Sequence, residues 1–110
     1  MIRIGIICRD TAQIEKITNL IYNYTHMPPR RHTRDLTDWQ FPLLSIEIRL
    51  PLSVRGCRYD IGFYDEGIDE NIVNDVIYPC CFCYGAGKPR PLKEFLWRFP
   101  EWKNMITDAQ

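Results

Sequence analysis

The order of apolar and polar residues along the first half of the chain predicts strands and a helix. Residues 2–8 form an almost unbroken apolar run, which is typical of a strand covered on both faces. Residues 11–24 carry apolar side chains at helical spacing, and Asp10 with Gln13 three positions later is a helix-start signal. Residues 44–50 alternate strictly between apolar and polar side chains, which predicts an edge strand or an antiparallel ribbon with one wet face.

The second half of the chain predicts one more strand and two more helices. Residues 59–64 form a short, mainly apolar strand. Asp69 is placed to cap a second helix, which Pro79 is expected to end because proline lacks the amide hydrogen that a helix needs. Pro91 fits the first turn of a short third helix.

Two segments lack periodicity and are predicted to be loops. Residues 26–41 contain adjacent prolines and a basic cluster, and residues 80–91 are rich in Cys, Gly and Pro. Loops of this length in compact domains are often mobile or functional. The elements around them predict a single α/β domain over residues 1–110, with a three- or four-stranded, mostly parallel sheet and two or three helices.

Composition narrows the class of protein. The 110 residues carry 14 basic and 14 acidic side chains, so bulk charge does not favour binding to nucleic acid or to an anionic membrane. No run of about 18 apolar residues predicts a membrane span, and the short apolar start followed by Asp10 does not resemble a signal peptide. Five cysteines, three of them crowded together, indicate free thiols in a reducing compartment. We therefore expect a cytoplasmic protein, in the host cytoplasm if the chain is viral.

Acidic residues follow two of the predicted strands. Ligands of open α/β sheets bind beyond the carboxyl ends of the strands, where this chain places Asp10, Asp65 and Glu66. Three carboxylates at one edge can hold Mg²⁺ through oxygen ligands and water. The alternative interpretation is structural: Asp10 caps the first helix, and Asp65 with Glu66 lies in a solvated turn.

The stretch R-G-C-R-Y-D-I-G-F-Y-D-E, Arg55 to Glu66, resembles the Walker-B strand of P-loop ATPase motors such as helicases and phage terminases. The resemblance implies that Asp65 is a Mg²⁺-associated acid and that Glu66 activates water. It also suggests that the chain is a small phage-encoded protein. A second, shorter resemblance is to response-regulator receiver domains, in which Asp10 and Asp65 would match the acidic site. The chain has little room for the further strands of that fold.

The phosphate-binding half of the ATPase pattern is missing. A P-loop has the form G-x-x-x-x-G-K-[ST], in which backbone amides and the lysine cradle the phosphates. The one candidate, Gly85-Ala86-Gly87-Lys88, has Phe82 in the first glycine position and Pro89 in the Ser/Thr position. It also follows the acidic residues instead of preceding them. ATP hydrolysis is therefore not expected.

Basic and aromatic residues give a second set of candidates. Arg30, Arg31 and Arg34, with Trp39 and Phe41 nearby, can contact phosphates and stack on a base, although Asp35 and Asp38 also fit a solvated loop. A third helix that buries its apolar face would leave Trp97 beside Arg98 on the surface. The candidate partner-binding residues are therefore Arg30, Arg31, Arg34, Trp39, Trp97 and Arg98.

The cysteine cluster matches a zinc site poorly. Structural zinc sites combine two separated ligand pairs, whereas Cys80, Cys81 and Cys83 form one C-C-x-C group. Small, buried apolar residues are the favoured interpretation of these cysteines. We predict no cofactor.

These observations favour a non-enzymatic interaction protein. A phage-encoded inhibitor or modulator of a host defence protein is the narrower hypothesis, and it follows from the resemblance alone. One alternative is a Mg²⁺-dependent phosphoryl or phosphodiester enzyme that uses Asp10, Asp65 and Glu66. Another is a small-ligand or nucleotide binder at the same edge of the sheet, and contact with nucleic acid through the arginines of residues 30–34 also stays open.

Overall fold

The structure, a computed structural model that describes residues 2–81 and 88–96, contains one mixed sheet of six strands. The strands are β1 (Ile2–Ile7), β2 (Arg31–His32), β3 (Leu36–Gln40), β4 (Leu44–Arg49), β5 (Ile61–Tyr64) and β6 (Arg90–Pro91). Their spatial order is β2-β3-β4-β1-β5-β6. The helical segments are α1 (Thr11–Thr25), a 3₁₀ turn (Pro51–Ser53), α2 (Glu70–Ile72), a π-helical segment (Val73–Ile77) and α3 (Tyr78–Cys80). Residues 92–96 are also helical.

Four neighbouring strands, β4, β1, β5 and β6, run parallel. β1 lies between β4 and β5, so that Ile4 is opposite Ile46 on one side and Ile61 on the other. The last four residues of β1 are buried. The apolar run at the start of the chain is therefore a doubly covered parallel strand, as its sequence predicts.

The other side of the sheet is antiparallel, and two predictions are wrong here. β3 pairs antiparallel with β4, and β2 pairs antiparallel with β3. Residues 26–41 are thus not one loop, and the sheet is neither three- or four-stranded nor mostly parallel. The pattern of β3 was hard to recognise because two of its three buried residues, Thr37 and Asp38, are polar.

β4 is an interior strand between β3 and β1, so the edge-strand prediction is wrong, while its antiparallel pairing with β3 agrees with the alternative prediction of an antiparallel ribbon. Its apolar positions are buried and its polar positions are half-buried, in strict alternation. The alternation arises because one face of the sheet is incompletely covered at β4.

The first helix confirms its sequence signals. The side chain of Asp10 accepts a hydrogen bond from the amide of Gln13 at 2.8 Å, which satisfies one free amide of the first turn. The helix ends at His26, which adopts a left-handed conformation with φ 55° and donates its amide to the Tyr22 carbonyl. The apolar side of α1 packs with β1, β3, β4 and β5 in the larger core.

A smaller core lies on the opposite face of the sheet. Residues 54–59 and the 70–81 region pack there against β1 and β5. The ring of Tyr59 lies over Gly5 and the sulfur of Cys81 lies over Gly62, so closely that a β-carbon at either glycine would collide with it. Among the described residues, this smaller core contains no residue of β2, β3 or β4, and on that face residues 53–59 reach only the Glu47 and Arg49 end of β4.

The helix near residues 70–80 changes geometry along its length. Asp69 caps it by accepting a hydrogen bond from Asn71, as predicted. Pro79 does not end it, because the chain has already widened into the π-helical segment, in which Tyr78 donates its amide to the carbonyl of Val73. Pro79 lies within α3, where its missing amide hydrogen falls in the first turn. The prediction that Pro79 ends the helix is therefore wrong.

Candidate functional site

Two of the three acidic residues predicted at the carboxyl ends of β1 and β5, Asp10 and Asp65, lie on either side of Arg9. The buried carboxylate of Asp65 accepts a hydrogen bond from the Arg9 amide at 3.3 Å. The Arg9 Nε lies 3.6 Å from Asp10 Oδ2 and 4.0 Å from Asp65 Oδ2. Glu66 is exposed and pairs with Lys93 at 3.3 Å. Each of the three carboxylates therefore already has a basic or amide partner.

Within residues 2–81 and 88–96, no three His, Cys, Asp or Glu side chains form a group that could hold a metal ion. Asp10 in addition caps α1. Gly85 to Gly87, the glycines that were compared with a P-loop and did not match one, lie outside the described residues. At this edge of the sheet, Arg9 therefore lies beside both Asp10 and Asp65, and the buried Asp65 accepts the hydrogen bond from the Arg9 amide.

Four of the cysteines are free thiols. Burial, followed by the negative charges of Asp65 and Asp10, raises the pKa of the Cys8 thiol to about 12. The buried Cys80 donates its S–H to the Val54 carbonyl at 3.1 Å, and Cys81 is buried against Gly62. Cys83, the third member of the predicted zinc alternative, lies outside the described residues.

A different surface of the sheet concentrates charged side chains. We call it the open face: the side of β2, β3 and β4 that points away from α1, with side chains Arg31, Leu36, Asp38, Gln40, Ser45, Glu47 and Arg49. A polar cleft of about 230 Å³ lies on it. The cleft is lined by Arg3, Arg30, Arg31, Asp38, Trp39, Gln40, Ser45, Ile46 and Glu47.

Two arginines share one carboxylate at this cleft. Arg31 is paired with Asp38 in the strand register, while the backbone amide of Arg30 also donates to the Asp38 carbonyl at 2.7 Å. Two successive residues thus oppose one, the arrangement of a β-bulge. An Nη atom of each arginine lies 2.7 Å from Asp38 Oδ2, and Arg31 Nε lies 3.1 Å from the same oxygen.

The charge of Asp38 is stabilised by these contacts. Burial by itself raises the pKa of the carboxyl, but the hydrogen bonds and positive charges of Arg31 and Arg30 outweigh it, and the pKa lies below the ordinary value of 3.8. The Asp38 hydrogen bonds and charge raise the pKa of Arg31 in turn. The cluster therefore stays ionised at neutral pH.

Two further contacts hold the open face to the rest of the fold. His32, next to Arg31, accepts or donates through Nδ1 to Thr37 at 2.8 Å, and its Nε2 lies 2.9 Å from Glu15 of α1. Arg49 pairs with Glu47 and donates to the Ser53 carbonyl at 3.1 Å. The strands that carry the face are thus tied to the helix behind them and to the turn that follows β4.

The structure changes the predicted partner-binding set. Arg30, Arg31 and Arg34 are exposed or half-exposed, but Trp39 is only 1% exposed and donates its Nε1 hydrogen to the Met27 carbonyl at 3.1 Å. Phe41, the second aromatic of the nucleic-acid hypothesis, is buried as well. Trp39 is therefore a core residue and offers no ring to a partner.

The remaining candidates, Trp97 and Arg98, lie outside the described residues. The sequence did not single out Asp38, Arg3 or Glu47 as site residues. The sequence signal for Asp38 was its spacing, seven positions after Arg31 and eight after Arg30. That spacing fits two paired strands of a hairpin, but it fits a solvated loop equally well.

A second cleft, of about 390 Å³, lies between the end of β5 and the helix near residues 70–80. It is lined by Tyr64, Ile68, Glu70, Val73, Asn74, Tyr78, Lys88 and Pro89. Its volume is in the range of small-molecule sites. The π-helical segment brings Tyr78 into line with Val73, so both side chains face the same cleft.

Comparison with known proteins adds no relative: the chain matches no protein-family model, no curated protein and no solved structure. Among the helices of the described residues, none is long and apolar enough to cross a bilayer.

Proposed function

We propose that this chain is a non-enzymatic protein-binding domain and that the open face is its docking surface. The observation that carries the proposal is the uneven apolar packing among the described residues: one face of the sheet has a core from β3 to β5, while the core on the other face lies at β1 and β5. An uncovered sheet face with a cleft and several charged side chains is suited to a partner. The narrower hypothesis of a phage-encoded inhibitor of a host protein stays a prediction.

The state of the acidic residues supports binding over catalysis. A general acid, a general base or a metal ligand needs an oxygen that is not already engaged in a contact of the fold. Asp65 is buried against Arg9, Asp10 caps α1, and Glu66 pairs with Lys93. These contacts give each carboxylate a structural role.

An apolar contact point borders the same surface. Leu52 is 89% exposed in the turn that follows β4, and the carbonyl of its neighbour Ser53 accepts the hydrogen bond from Arg49. Protein interfaces combine apolar anchors with a polar surround. Leu52 would be the apolar anchor of such an interface.

A substitution that places a large side chain in the cleft tests the proposal. Ser45 lines the cleft and takes no part in the ion pairs there, so Ser45→Tyr should fill the cleft without disturbing them. Asn19→Tyr places the same side chain on the exposed side of α1, behind the sheet. We expect cross-linking capture from a cell lysate to yield a protein with wild type and with Asn19→Tyr, and to lose it with Ser45→Tyr.

Equal capture of that protein by both tyrosine variants would contradict the open face as the docking surface. A thermal melt of each variant checks that the fold is intact before capture is compared. Ser45→Tyr is expected to melt close to wild type because Ser45 is half-buried at the cleft rather than in a core.

The second cleft favours one other candidate, a small-ligand binder. Two tyrosines from different elements, Tyr64 and Tyr78, face a space of about 390 Å³, with Lys88 and Glu70 also lining it. Aromatic walls with a few polar groups are typical of ligand sites. Calorimetric titration with nucleoside monophosphates tests this candidate. Binding that is lost in Tyr78→Ala and kept in the exposed Tyr22→Ala would support it, and absence of heat with wild type would reject it.

A further inference from the structure

We infer that the open face binds an acidic peptide segment of its partner protein. This inference rests on the proposed docking surface and adds the chemistry of what docks there. It follows from three properties of the cleft: which charges are exposed, how the arginines are held, and the burial of the nearby aromatic side chains.

The acidic charges of the cleft lie deeper than the basic ones. The Asp38 side chain is 5% exposed and that of Glu47 is 18% exposed. The side chains of Arg30 and Arg31 are 49% and 50% exposed. A ligand that approaches the cleft therefore meets guanidinium groups first.

The positive charges also exceed the negative ones. Glu47 pairs with Arg49, which leaves Asp38 alone to balance both Arg30 and Arg31. The exposed Arg3 also lines the cleft, and its side chain makes no ion pair within the part of the chain that the structure describes. The cleft thus has an excess of basic charge, although the chain as a whole has none.

The two arginines are held in place before a ligand arrives. A guanidinium has five N–H donors. Arg31 directs donors of Nε and one Nη to Asp38, and Arg30 directs one Nη to Asp38 and the other to Gln40. The donors not used in these contacts are available for carboxylates. Because the side chains are already ordered, binding costs less conformational entropy than it does at free arginines.

The same contacts favour a protein over a nucleic acid. Binding to single strands uses aromatic side chains as stacking platforms, and both Trp39 and Phe41 are buried. Leu52, exposed beyond the carboxyl end of β4, suits an apolar side chain of a peptide rather than a phosphate.

Fluorescence anisotropy on the full chain tests this inference. The probes are a labelled peptide of glutamates flanking one leucine and a labelled oligothymidylate of equal net charge. We expect saturable peptide binding that weakens as salt is raised, because exposed charges are screened over about 8–10 Å at physiological ionic strength. The oligothymidylate should bind more weakly than the peptide.

Two charge reversals locate the site. Arg3→Glu changes the cleft without touching the ion pairs of Asp38, and it should weaken peptide binding about tenfold. Lys16→Glu makes the same change in charge on the exposed side of α1 and should leave the affinity within about twofold. Circular dichroism of both variants confirms the fold.

Tighter binding of the oligothymidylate, or equal losses in the two variants, would overturn the acidic-peptide inference. No binding of either probe would overturn it too. That last result would leave the docking surface itself standing if Ser45→Tyr still loses the captured protein, so the two proposals fail separately.

Discussion

The sulfur of Cys81 occupies the space above Gly62 in which a β-carbon of residue 62 would lie. This contact joins the end of the helical region to the middle of β5, and it requires a glycine there. We predict that Gly62→Ala lowers the free energy of unfolding by about 1–3 kcal/mol because it overpacks the smaller core. Urea denaturation followed by circular dichroism measures the change.

A double-mutant cycle shows whether the sulfur is the cause. Cys81→Ala removes the colliding atom, so Gly62→Ala should cost less in the Cys81→Ala background than in wild type. Costs that simply add would mean that Gly62→Ala destabilises β5 for another reason.

The Asp38 carboxylate gives stability that depends on pH. Its pKa in the folded protein lies below 3.8, so its contribution is complete above about pH 4 and is lost as the pH falls through the folded value. Asp38→Asn should lower the free energy of unfolding by about 1–2 kcal/mol at pH 7, since charge-assisted hydrogen bonds to Arg30 and Arg31 are lost.

Denaturation series at several pH values test this. The difference between wild type and Asp38→Asn should shrink below about pH 4, where wild type also becomes protonated. Asp35→Asn, a change at an exposed acid in the turn before β3, is the control and should show no such dependence. A constant difference down to pH 2 would mean that the carboxylate is not stabilised by the arginines.

The hydroxyl of Tyr59 is buried, and within the described residues its near polar neighbour is the Cys57 thiol, which does not reach it with the geometry of an ordinary hydrogen bond. Burial raises the pKa of this phenol above its ordinary 10.0. Tyr59→Phe keeps the ring over Gly5 and removes the unpaired group, so the free energy of unfolding should stay the same or rise by up to about 1 kcal/mol. Chemical denaturation gives the value, and a clear loss of stability would reveal a hydrogen bond at this hydroxyl.

The cysteines should differ sharply in reactivity. Cys8 is fully buried and the pKa of its thiol is raised to about 12, so very little thiolate forms at pH 8 and reagents cannot reach it. Cys57 is half-buried and should be alkylated first among the cysteines of the described residues. Peptide mass spectrometry after short iodoacetamide exposure measures this order, and urea should make Cys8 reactive. Rapid labelling of Cys8 without urea would contradict its burial.

Local sequence patterns were sufficient for the central elements of the fold. The uniform apolar run of β1, the capped periodicity of α1 and the alternation of β4 each reflect contacts that the segment makes along its whole length. The position of β4 within the sheet was not predictable, because alternation reports one wet face and cannot distinguish an edge from an uncovered interior strand.

The charged cluster on the open face could not be predicted from the sequence, for a physical reason. The buried Asp38 is neutralised by Arg31 of the neighbouring strand and by Arg30 just before it, and such a pairing depends on strand register. When the strand register is unknown, an acidic residue in this segment is more readily assigned to a loop than to a buried strand position. The same reason applies to Trp39. Its basic neighbours in the sequence suggested an exposed ring, whereas its burial depends on a contact with Met27, twelve residues away.

The position of β1 at the centre of the sheet affects how the chain is made. Both strands that flank β1 come from residues 44–64, so a ribosome releases this isoleucine-rich segment long before either neighbour exists. Until those strands are synthesised, α1 is the nearest completed element that can pack against the apolar side chains of β1. Nascent chains paused before residue 44 should therefore recruit chaperones, and slow codons in that interval should lower the yield of folded protein.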